Sequence, residues 1–255
     1  MASAVAVACL LSPSAARAAL AFFDDFEGGT IGAGPTSPVI GNPWALVGNA
    51  NTNLVHANPL VNADNGSAQV LRDERSAGSA GRVFIDLSPA QSAQIASGEL
   101  LTIRFQHYQP DPSRDALALL VYPTTNHDFL NPAIDLEFHK NRAVKHYNNA
   151  PNNFVDTGLV GTDGWDDVEV VLNYATDTWS VSLNGGVAAA NLPFVNNDDQ
   201  TTGASILLGP SQQNVTAFVD NVRVYVGAIP EPASLASFSA AAAALPLVRR
   251  RRRAH

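Results

Sequence analysis

Short runs in which apolar and polar residues alternate recur between about residues 21 and 226, and Gly, Pro, Asn and Asp separate them. This spacing is typical of an antiparallel sandwich or barrel. A short helical segment is predicted at Ala90–Ser97. The predicted strands are Ala21–Phe26, Ala68–Arg72, Arg82–Leu87, Leu100–Tyr108, Ala116–Tyr122, Ile134–His139, Ala143–Tyr147, Phe154–Val160, Val168–Tyr174, Trp179–Leu183, Ser205–Leu208 and Ala217–Val226.

Two hairpins can be recognised in this pattern. In VEVVLNYATDTWSVSLNGG, alternate apolar residues of each strand share one face. These residues are Val168, Val170 and Leu172 on the first strand and Trp179, Val181 and Leu183 on the second. Asn184-Gly185 then favours the positive φ angles of a type I′ turn. The second hairpin, IDLEFHKNRAVKHY, is predicted to turn at Lys140–Arg142.

Three segments of the body carry a resemblance to known domains: FFDDFEGG at its start, WDDVEVVLNYATDTWSVSLNGG, and the closing TAFVDNVRVYVG. In this order they resemble concanavalin A-like jelly rolls of the laminin-G-like and carbohydrate-binding type. The resemblance implies an all-β, antiparallel two-sheet jelly-roll sandwich over residues 22–228, with its first and last strands side by side. It also implies a structural or glycan-binding role.

The N-terminal stretch AVAVACLL is followed by SAARAALA, which is typical of a signal peptide over residues 1–21. Ala16-Arg17-Ala18 and Ala19-Leu20-Ala21 are alternative cleavage sites. The basic n-region residue of such a leader is missing, so an N-terminal strand or helix of the domain is the alternative interpretation.

The C-terminal residues 229–255 combine Pro230-Glu231-Pro232, an uncharged apolar run and a basic cluster of Arg249, Arg250, Arg251, Arg252 and Arg253. As a helix, residues 233–248 would extend ~24 Å, short of a ~30 Å hydrocarbon core but long enough with snorkelling arginines. The arginines predict a stop-transfer signal that remains cytoplasmic.

This C-terminal order resembles the PEP-CTERM sorting signal. The resemblance implies export, a transient anchor in the inner membrane, and cleavage by an exosortase. The processed protein would then reach the cell surface or an exopolysaccharide matrix.

Charge and cysteine content narrow the possible functions. Residues 18–229 carry 22 acidic and 9 basic residues, a net charge of −13, which disfavours a nucleic-acid partner. The single cysteine, Cys9, lies in the leader, so the body has no disulfide, thiolate metal site or cysteine nucleophile. The histidines show neither HxH nor HExxH spacing.

The strongest enzymatic pattern is NPAIDLEFHK, where a strand would project Asp135, Glu137 and His139 from one face. It resembles the Glu-x-Asp-x-Glu strand of laminarinase-type glycoside hydrolases. By that resemblance Asp135 and Glu137 match the helper and the general acid, while Ala133 stands at the nucleophile position. Retaining hydrolysis needs two carboxylates about 5–5.5 Å apart. Without the first glutamate, the pattern predicts a polar surface or a non-catalytic glycan-binding face.

Asp220 shares its parity with Phe218, Val222 and Val224, which predicts an inward-facing and therefore buried carboxylate. A buried carboxylate needs backbone N–H groups, a cation or a metal. Related carbohydrate-binding modules hold a structural calcium with an N-terminal glutamate and a late aspartate. That resemblance implies Glu27 and Asp220 as calcium ligands, with hydrogen bonding of Asp220 as the alternative. No cofactor is otherwise required.

Three aromatic residues, Trp44, Tyr108 and Tyr147, are candidates for stacking on sugar rings, with internal packing as the alternative. The sequence as a whole therefore predicts an exported, non-catalytic surface or matrix protein that is structural or binds an exopolysaccharide or other glycan. The alternative is a glycan-active hydrolase or lyase.

Overall fold

The computed structural model describes residues 18–227, apart from residue 36 and residues 49–52, 61–65, 76–80, 126–130, 149–152, 187–188, 196–201 and 211–214. The predicted leader up to residue 17 and the whole predicted sorting tail, residues 229–255, lie outside the described residues. In the part of the chain that is described, no helix is long and apolar enough to cross a membrane.

Strands dominate the described chain. They are β1 (Ala19–Asp24), β2 (Ala45–Val47), β3 (Asn53–Ala57), β4 (Gln69–Arg75), β5 (Arg82–Asp86), β6 (Leu101–Tyr108), β7 (Leu117–Tyr122), β8 (Ile134–Phe138), β9 (Ala143–Asn148), β10 (Asn153–Val160), β11 (Asp166–Asn173), β12 (Thr178–Leu183), β13 (Ala189–Pro193), β14 (Ser205–Pro210) and β15 (Val215–Val226). One α-helix, α1 (Pro89–Ala96), lies close to the predicted helical segment, and Ser88 and Gln91 form its capping box.

The strands form two antiparallel sheets, which confirms the predicted all-β, two-sheet class. Sheet A has the order β13-β12-β11-β6-β15-β4-β3, and β1 also pairs with β15. Sheet B has the order β10-β9-β8-β7-β14-β5-β2. Every pairing in both sheets is antiparallel.

The main hydrophobic core joins the alternate, inward-facing residues of the two sheets. On β6 of sheet A, Ile103 and Phe105 are buried, and on β8 of sheet B, Leu136 and Phe138 are buried. The Phe105 and Phe138 rings meet edge to face with centroids 6.3 Å apart, so they link the sheets directly. This core fixes which face of each strand is directed outward.

Both predicted hairpins are confirmed. In the first, Val168 lies opposite Leu183, Val170 opposite Val181 and Leu172 opposite Trp179. All six of these side chains are buried, as their alternation predicts. In the turn that follows, Asn184 and Gly185 have φ angles of 52° and 67°. In the second hairpin, Lys140–Arg142 forms a 3-10 turn between β8 and β9.

Strand β15 joins the two ends of the described domain, as predicted. Its second half pairs with β1, where Phe22 lies opposite Val224. Its first half pairs along the same edge with β4, where Val219 lies opposite Leu71. The other edge of β15 pairs with β6 along both halves. The first and last strands are therefore neighbours, and β4 continues the edge that β1 begins.

The predicted inward orientation of Asp220 is wrong, although the residue is fully buried, with 0% exposure. A β-bulge shifts the register of β15 between Asp220 and Arg223, and Asn221 within it has φ 50°. Val219 and Val222 both join the core, whereas Asp220 pairs with Gln106 on the outer side of sheet A. An extra residue reverses the parity of everything beyond it, which the alternating pattern cannot reveal.

Candidate functional site

The three residues predicted to share a strand face lie together on the outer side of sheet B. Ile134, Leu136 and Phe138 of β8 enter the core. The intervening residues Asp135 and Glu137 therefore face outward and are partly buried. The alternation of β8 places each carboxylate without any special backbone geometry.

His139 lies between two carboxylates. Its Nδ1 is 3.2 Å from Asp115 Oδ1, and its Nε2 is 3.2 Å from Glu137 Oε2, without hydrogen-bond geometry in the second contact. The side chains of His139, Asp115 and Glu137 are only 13%, 12% and 15% exposed. Asp115 Oδ1 also accepts the Lys140 N–H at 2.7 Å, which fixes the carboxylate at the turn. The cluster of Asp115, Glu137 and His139 is therefore largely buried and is not a fully solvated polar surface.

Asp135 is the most electrostatically perturbed member of this face. Burial raises the pKa of Asp135 to about 7; Glu137 adds to the rise, and His139 opposes it. Its Oδ1 atom is buried and has no hydrogen-bond partner within the described residues. A buried acceptor without a partner is a candidate contact for a ligand O–H group.

A groove of about 180 Å³ lies on the same face, across the central strands β8, β7, β14 and β5. Asp135 and Glu137 line it together with Arg82 and Tyr122. A Cβ at Gly209 would lie 3.3 Å from Arg82 Cγ, so the absence of a side chain there makes room for the arginine stem. The groove thus offers carboxylate acceptors and a guanidinium donor.

An aromatic pair stands beside the carboxylate cluster. Tyr147 of β9 lies opposite Phe154 of β10, and their rings meet at 5.5 Å. The Phe154 ring is also 4.8 Å from the His139 ring. Both aromatic side chains are partly exposed, and they extend the outer face from β8 towards the edge of sheet B.

The other two aromatic candidates pack internally or on the opposite sheet. Trp44 is 6% exposed and donates its indole N–H to Asp24. Tyr108 of sheet A stacks on Phe218 with a centroid distance of 6.0 Å. Neither residue lies with the carboxylate cluster.

Ala133 does not share the outer face with Asp135 and Glu137. It precedes β8, is 0% exposed and belongs to the main core. Its N–H donates to Val121 O at 2.7 Å, and its carbonyl accepts from Val195 N at 2.8 Å. Ala133, which matches the nucleophile position by resemblance, is therefore a core residue and not a neighbour of the two carboxylates on the outer face.

Glu27 and Asp220 lie near the place where β1 and β4 adjoin β15, close enough for their charges to interact. Glu27 Oε1 accepts the N–H groups of Ala68 and Gln69, at 2.6 and 3.1 Å, at the start of β4. Asp220 Oδ1 accepts the Asn221 N–H at 2.7 Å. Burial raises the pKa of Asp220 to about 7, its hydrogen bonds oppose the rise, and the charges of Glu27 and Asp25 add to it. The structure thus brings the two predicted ligands into electrostatic contact.

The residues at this joint include oxygen atoms of the kind that bind calcium. Calcium takes carboxylate and carbonyl oxygens, and the acidic groups here repel one another. Across the described parts of the chain, however, no three His, Cys, Asp or Glu side chains form a metal-binding cluster. Any such ion would therefore depend on backbone or amide oxygens as well as on Glu27 and Asp220.

No protein-family model and no curated protein matches the sequence. Among solved structures, domain 4 of AbnA, a GH43 extracellular arabinanase from Geobacillus stearothermophilus in complex with arabinotriose, is similar with a TM-score of 0.50 and 14% identity. The match covers 84% of this chain and 95% of that one. The binding domain of botulinum neurotoxin DC, in a complex with SialylT, matches with a TM-score of 0.50 and 11% identity.

The neurotoxin match covers 82% of this chain and 48% of the other. A sialidase matches over 82% of this chain and 18% of its own, with 11% identity and a TM-score of 0.49. This chain therefore spans about half of that neurotoxin chain and a small part of the sialidase. The two matches at a TM-score of 0.50 show a shared jelly-roll fold.

Sequence reasoning found the residues of β8 but missed their partners. Asp115, Arg82 and Phe154 come from three other segments, and no local motif connects them with NPAIDLEFHK. The sequence does predict that Arg82 and Phe154 lie on strands, because the predicted strands Arg82–Leu87 and Phe154–Val160 begin at these residues. Their meeting depends on the order of strands in sheet B, which alternation does not determine.

Proposed function

We propose that this protein is an exported, non-catalytic glycan-binding protein of the cell surface or extracellular matrix. Its binding site is the outer face of sheet B around Asp135, Glu137 and His139. The observation that carries the proposal is the buried Asp135 Oδ1, which lacks a hydrogen-bond partner in the described part of the chain and lies in a groove. A sugar hydroxyl supplies the O–H that such an acceptor needs.

The surroundings of Asp135 support a sugar as the ligand. Saccharides present hydroxyl groups at their edges and apolar C–H groups on their ring faces. Glu137 and Arg82 provide an acceptor and donors in the groove. Tyr147 and Phe154 provide a partly exposed aromatic surface next to the cluster. Two structures of similar fold, in complexes with arabinotriose and with SialylT, agree with this ligand class.

The delivery of the domain rests on the two chain ends. A leader would direct export, and the Pro230-Glu231-Pro232 motif with residues 233–248 and 249–253 would hold the chain transiently in the inner membrane. Cleavage by an exosortase near the motif would then release residues upstream of it to the surface or matrix. The body carries a net charge of −13 over residues 18–229, which repels nucleic acid and so agrees with a function that does not involve it.

A structural calcium at Glu27 and Asp220 is part of the proposal. The ion would neutralise Asp220, whose pKa is raised by burial and by the charges of Glu27 and Asp25, and would tie the segment after β1 to the bulge of β15. Its role is structural, because the joint lies on sheet A and the proposed glycan face lies on sheet B.

A glycan-active hydrolase or lyase is the second candidate function. The raised pKa of Asp135, with the Glu137 carboxylate beside it, favours this function, because a carboxyl group that stays protonated near neutral pH can act as a general acid. Against it, the position aligned with the nucleophile is Ala133, which is buried in the core.

The two candidates are separated by one set of measurements. The purified full-length chain is applied to a glycan array, and bound oligosaccharides are then tested by calorimetry and for turnover. We expect binding without turnover, weakened about tenfold or more by Tyr147→Ala or Glu137→Gln, since an aromatic contact is worth about 0.5–1.5 kcal/mol and a charge-assisted hydrogen bond about 1.5–3 kcal/mol. Tyr108→Ala, on the opposite sheet, is the matched control. Turnover that Glu137→Gln abolishes establishes the enzyme instead.

A further inference from the structure

A second groove lies on the outer face of sheet A, away from the face described above. Its volume is about 330 Å³, nearly twice that of the sheet B groove. Side chains of β11, β6 and β15 line it, with Arg104, Arg223 and Asn221 among them. These three strands are adjacent and have both edges paired, so the groove lies over the interior of the sheet.

Two arginines stand directly opposite each other in this groove. Arg104 of β6 and Arg223 of β15 are cross-strand partners. Like charges at opposed positions destabilise a sheet unless something neutralises them. Arg104 has such a partner, because Glu169 of β11 lies directly opposite it and forms an ion pair with it.

Arg223 has no carboxylate partner among the described residues. Its guanidinium lies 4.9 Å from the centroid of the Phe23 ring and donates one hydrogen bond, of 3.3 Å, to Asn221 Oδ1. A guanidinium has five N–H donors, so most of its donor capacity is not used by these contacts. The groove lining thus contains two arginines and two carboxylates, Asp167 and Glu169, and Arg223 is the arginine that forms no ion pair among the described residues.

The β-bulge of β15 forms one wall of the groove. Asn221 adopts φ 50°, in the left-handed region, in the middle of the longest strand. Its Nδ2 donates to Gln106 Oε1 at 3.0 Å, and Gln106 Nε2 donates to Asp167 Oδ1 at 2.9 Å. Bulges of this kind redirect side chains next to binding sites. Here the bulge fixes a row of amide and carboxylate groups beside Arg223.

We propose that this groove binds the carboxylate-bearing ring of an acidic saccharide, with Arg223 as its principal anion contact. A planar guanidinium matches a carboxylate through two parallel N–H···O bonds. Gln106, Asp167 and Ser182 supply the mixed donors and acceptors that ring hydroxyls require. An acidic peptide fits less well, because the interior strands beneath the groove offer no free edge for strand addition.

This inference does not depend on the sheet B site. Glycan binding at Asp135 and Glu137 can fail while the sheet A groove still binds an acidic sugar, and the reverse also holds. Variants of Arg223 and variants of Tyr147 therefore report on the two faces separately.

Calorimetry of the full-length chain tests the proposal with oligogalacturonate, oligomannuronate and sialyllactose. The matched neutral probe is each saccharide with its carboxylate reduced to an alcohol. We expect binding of at least one acidic probe, weakened by raised salt, with its neutral counterpart at least about tenfold weaker because the charge-assisted bonds are lost. Arg223→Gln should weaken the acidic probe to the level of the neutral one.

Two further variants make the result specific. Arg72→Gln removes a cation from the same sheet, outside the groove lining, and should leave the affinity unchanged. Glu169→Gln removes the carboxylate that competes for Arg104 and should tighten binding of the acidic probe. The opposite signs exclude a general loss of folding as the cause.

Three results overturn the proposal. The first is absence of binding to all three acidic probes. The second is an affinity that Arg223→Gln leaves unchanged. The third is equal binding of polyglutamate with the same dependence on Arg223, which would assign the groove to an acidic peptide.

Discussion

Trp44 donates its indole N–H to Asp24 Oδ2 over 2.6 Å and so ties the segment before β2 to the last residue of β1. Asp24 is 5% exposed, and its Oδ1 accepts the Phe26 N–H at 2.8 Å. The Trp44 ring packs edge to face on Phe22 and stacks on Phe26. The Asp24 carboxylate is thus buried beside Trp44 and Phe26 and fixes their positions through these two hydrogen bonds.

We expect Trp44→Phe to lower the free energy of unfolding, because the ring packing is largely kept while a buried carboxylate oxygen loses its donor. The cost should be about 1–3 kcal/mol. Urea denaturation followed by circular dichroism measures it. Trp165→Phe is the matched control, because the Trp165 indole N–H has no hydrogen-bond partner among the residues that the structure describes. Equal losses in the two variants would show that the Trp44–Asp24 bond contributes nothing.

The titration of Asp135 gives a prediction for pH. Its folded-state pKa is raised from 3.8 to about 7, so the folded protein binds the proton more tightly than the unfolded chain. This tighter proton binding contributes to the free energy of unfolding in full below about pH 4, and the contribution is lost as the pH rises through about 7. Asp135→Asn should therefore stabilise the protein more at pH 8 than at pH 5.

Thermal denaturation of the variant and the wild type at these two pH values tests the difference. Burial also raises the pKa values of Asp73 and Asp220, so these residues likewise make the wild type less stable as the pH rises. Both residues are present in the variant, so the difference between the two proteins reports on Asp135 alone. Asp156→Asn, at an exposed position of β10, is the control. A variant curve parallel to that of the wild type would rule out the assigned titration.

Calcium at the Glu27–Asp220 joint is tested by chelation. A ligand that binds only the native state stabilises it by about 2.7 kcal/mol at a hundredfold excess over its Kd. Removing the ion should lower the Tm of the wild type by several degrees and leave that of Asp220→Asn almost unchanged. If chelation has no effect while Asp220→Asn is strongly destabilised, Asp220 is a hydrogen-bonded structural acid and the calcium proposal fails.

Processing at both ends is measured by the intact mass of the protein from its native host. At the C-terminus, we expect everything beyond about Pro232 to be absent; a surface form that retains Arg249–Arg253 would contradict this. At the N-terminus, cleavage after Ala18 leaves β1 whole, whereas cleavage after Ala21 removes Ala19 and Leu20, which pair with Val226 and Tyr225. We therefore expect Ala19 as the first residue.

The wild type should not hydrolyse β-glucans, and Ala133→Glu should not create this activity. The substitution would place an unpaired carboxylate in the core, where Ala133 is 0% exposed. We expect a loss of several degrees in Tm, while Ala143→Glu, at a partly exposed position of β9, should change little. A stable and active Ala133→Glu variant would show that the carboxylate reaches the outer face after all.

The strand pattern could be predicted wherever a strand has one buried and one outer face. All twelve predicted strands are present, with ends shifted by at most three residues. The strands β2, β3 and β13 were missed. All three lie at sheet edges. Strands β2 and β13 contain no buried residue, and β3 places a polar asparagine at a buried position, so hydrophobic alternation does not mark them.

The candidate site was predictable only within one strand. Asp135, Glu137 and His139 follow from alternation, but Asp115 and Phe154 reach them through the pairing order of sheet B. The orientation of Asp220 failed for a different reason. Asn221 adds one residue to β15, and nothing in VDNV distinguishes a bulge from continuous alternation.

The position of β15 also affects when the domain can fold. The last strand of the described chain is an interior strand of sheet A, between β6 on one side and β4 with β1 on the other. During synthesis, β6, β4 and β1 therefore wait for a partner that emerges about 110, 140 and 200 residues later, so closing the sheet requires contacts of high sequence separation. A chain that cannot complete sheet A before its last strand appears therefore stays incompletely folded until nearly all of the described domain has been synthesised.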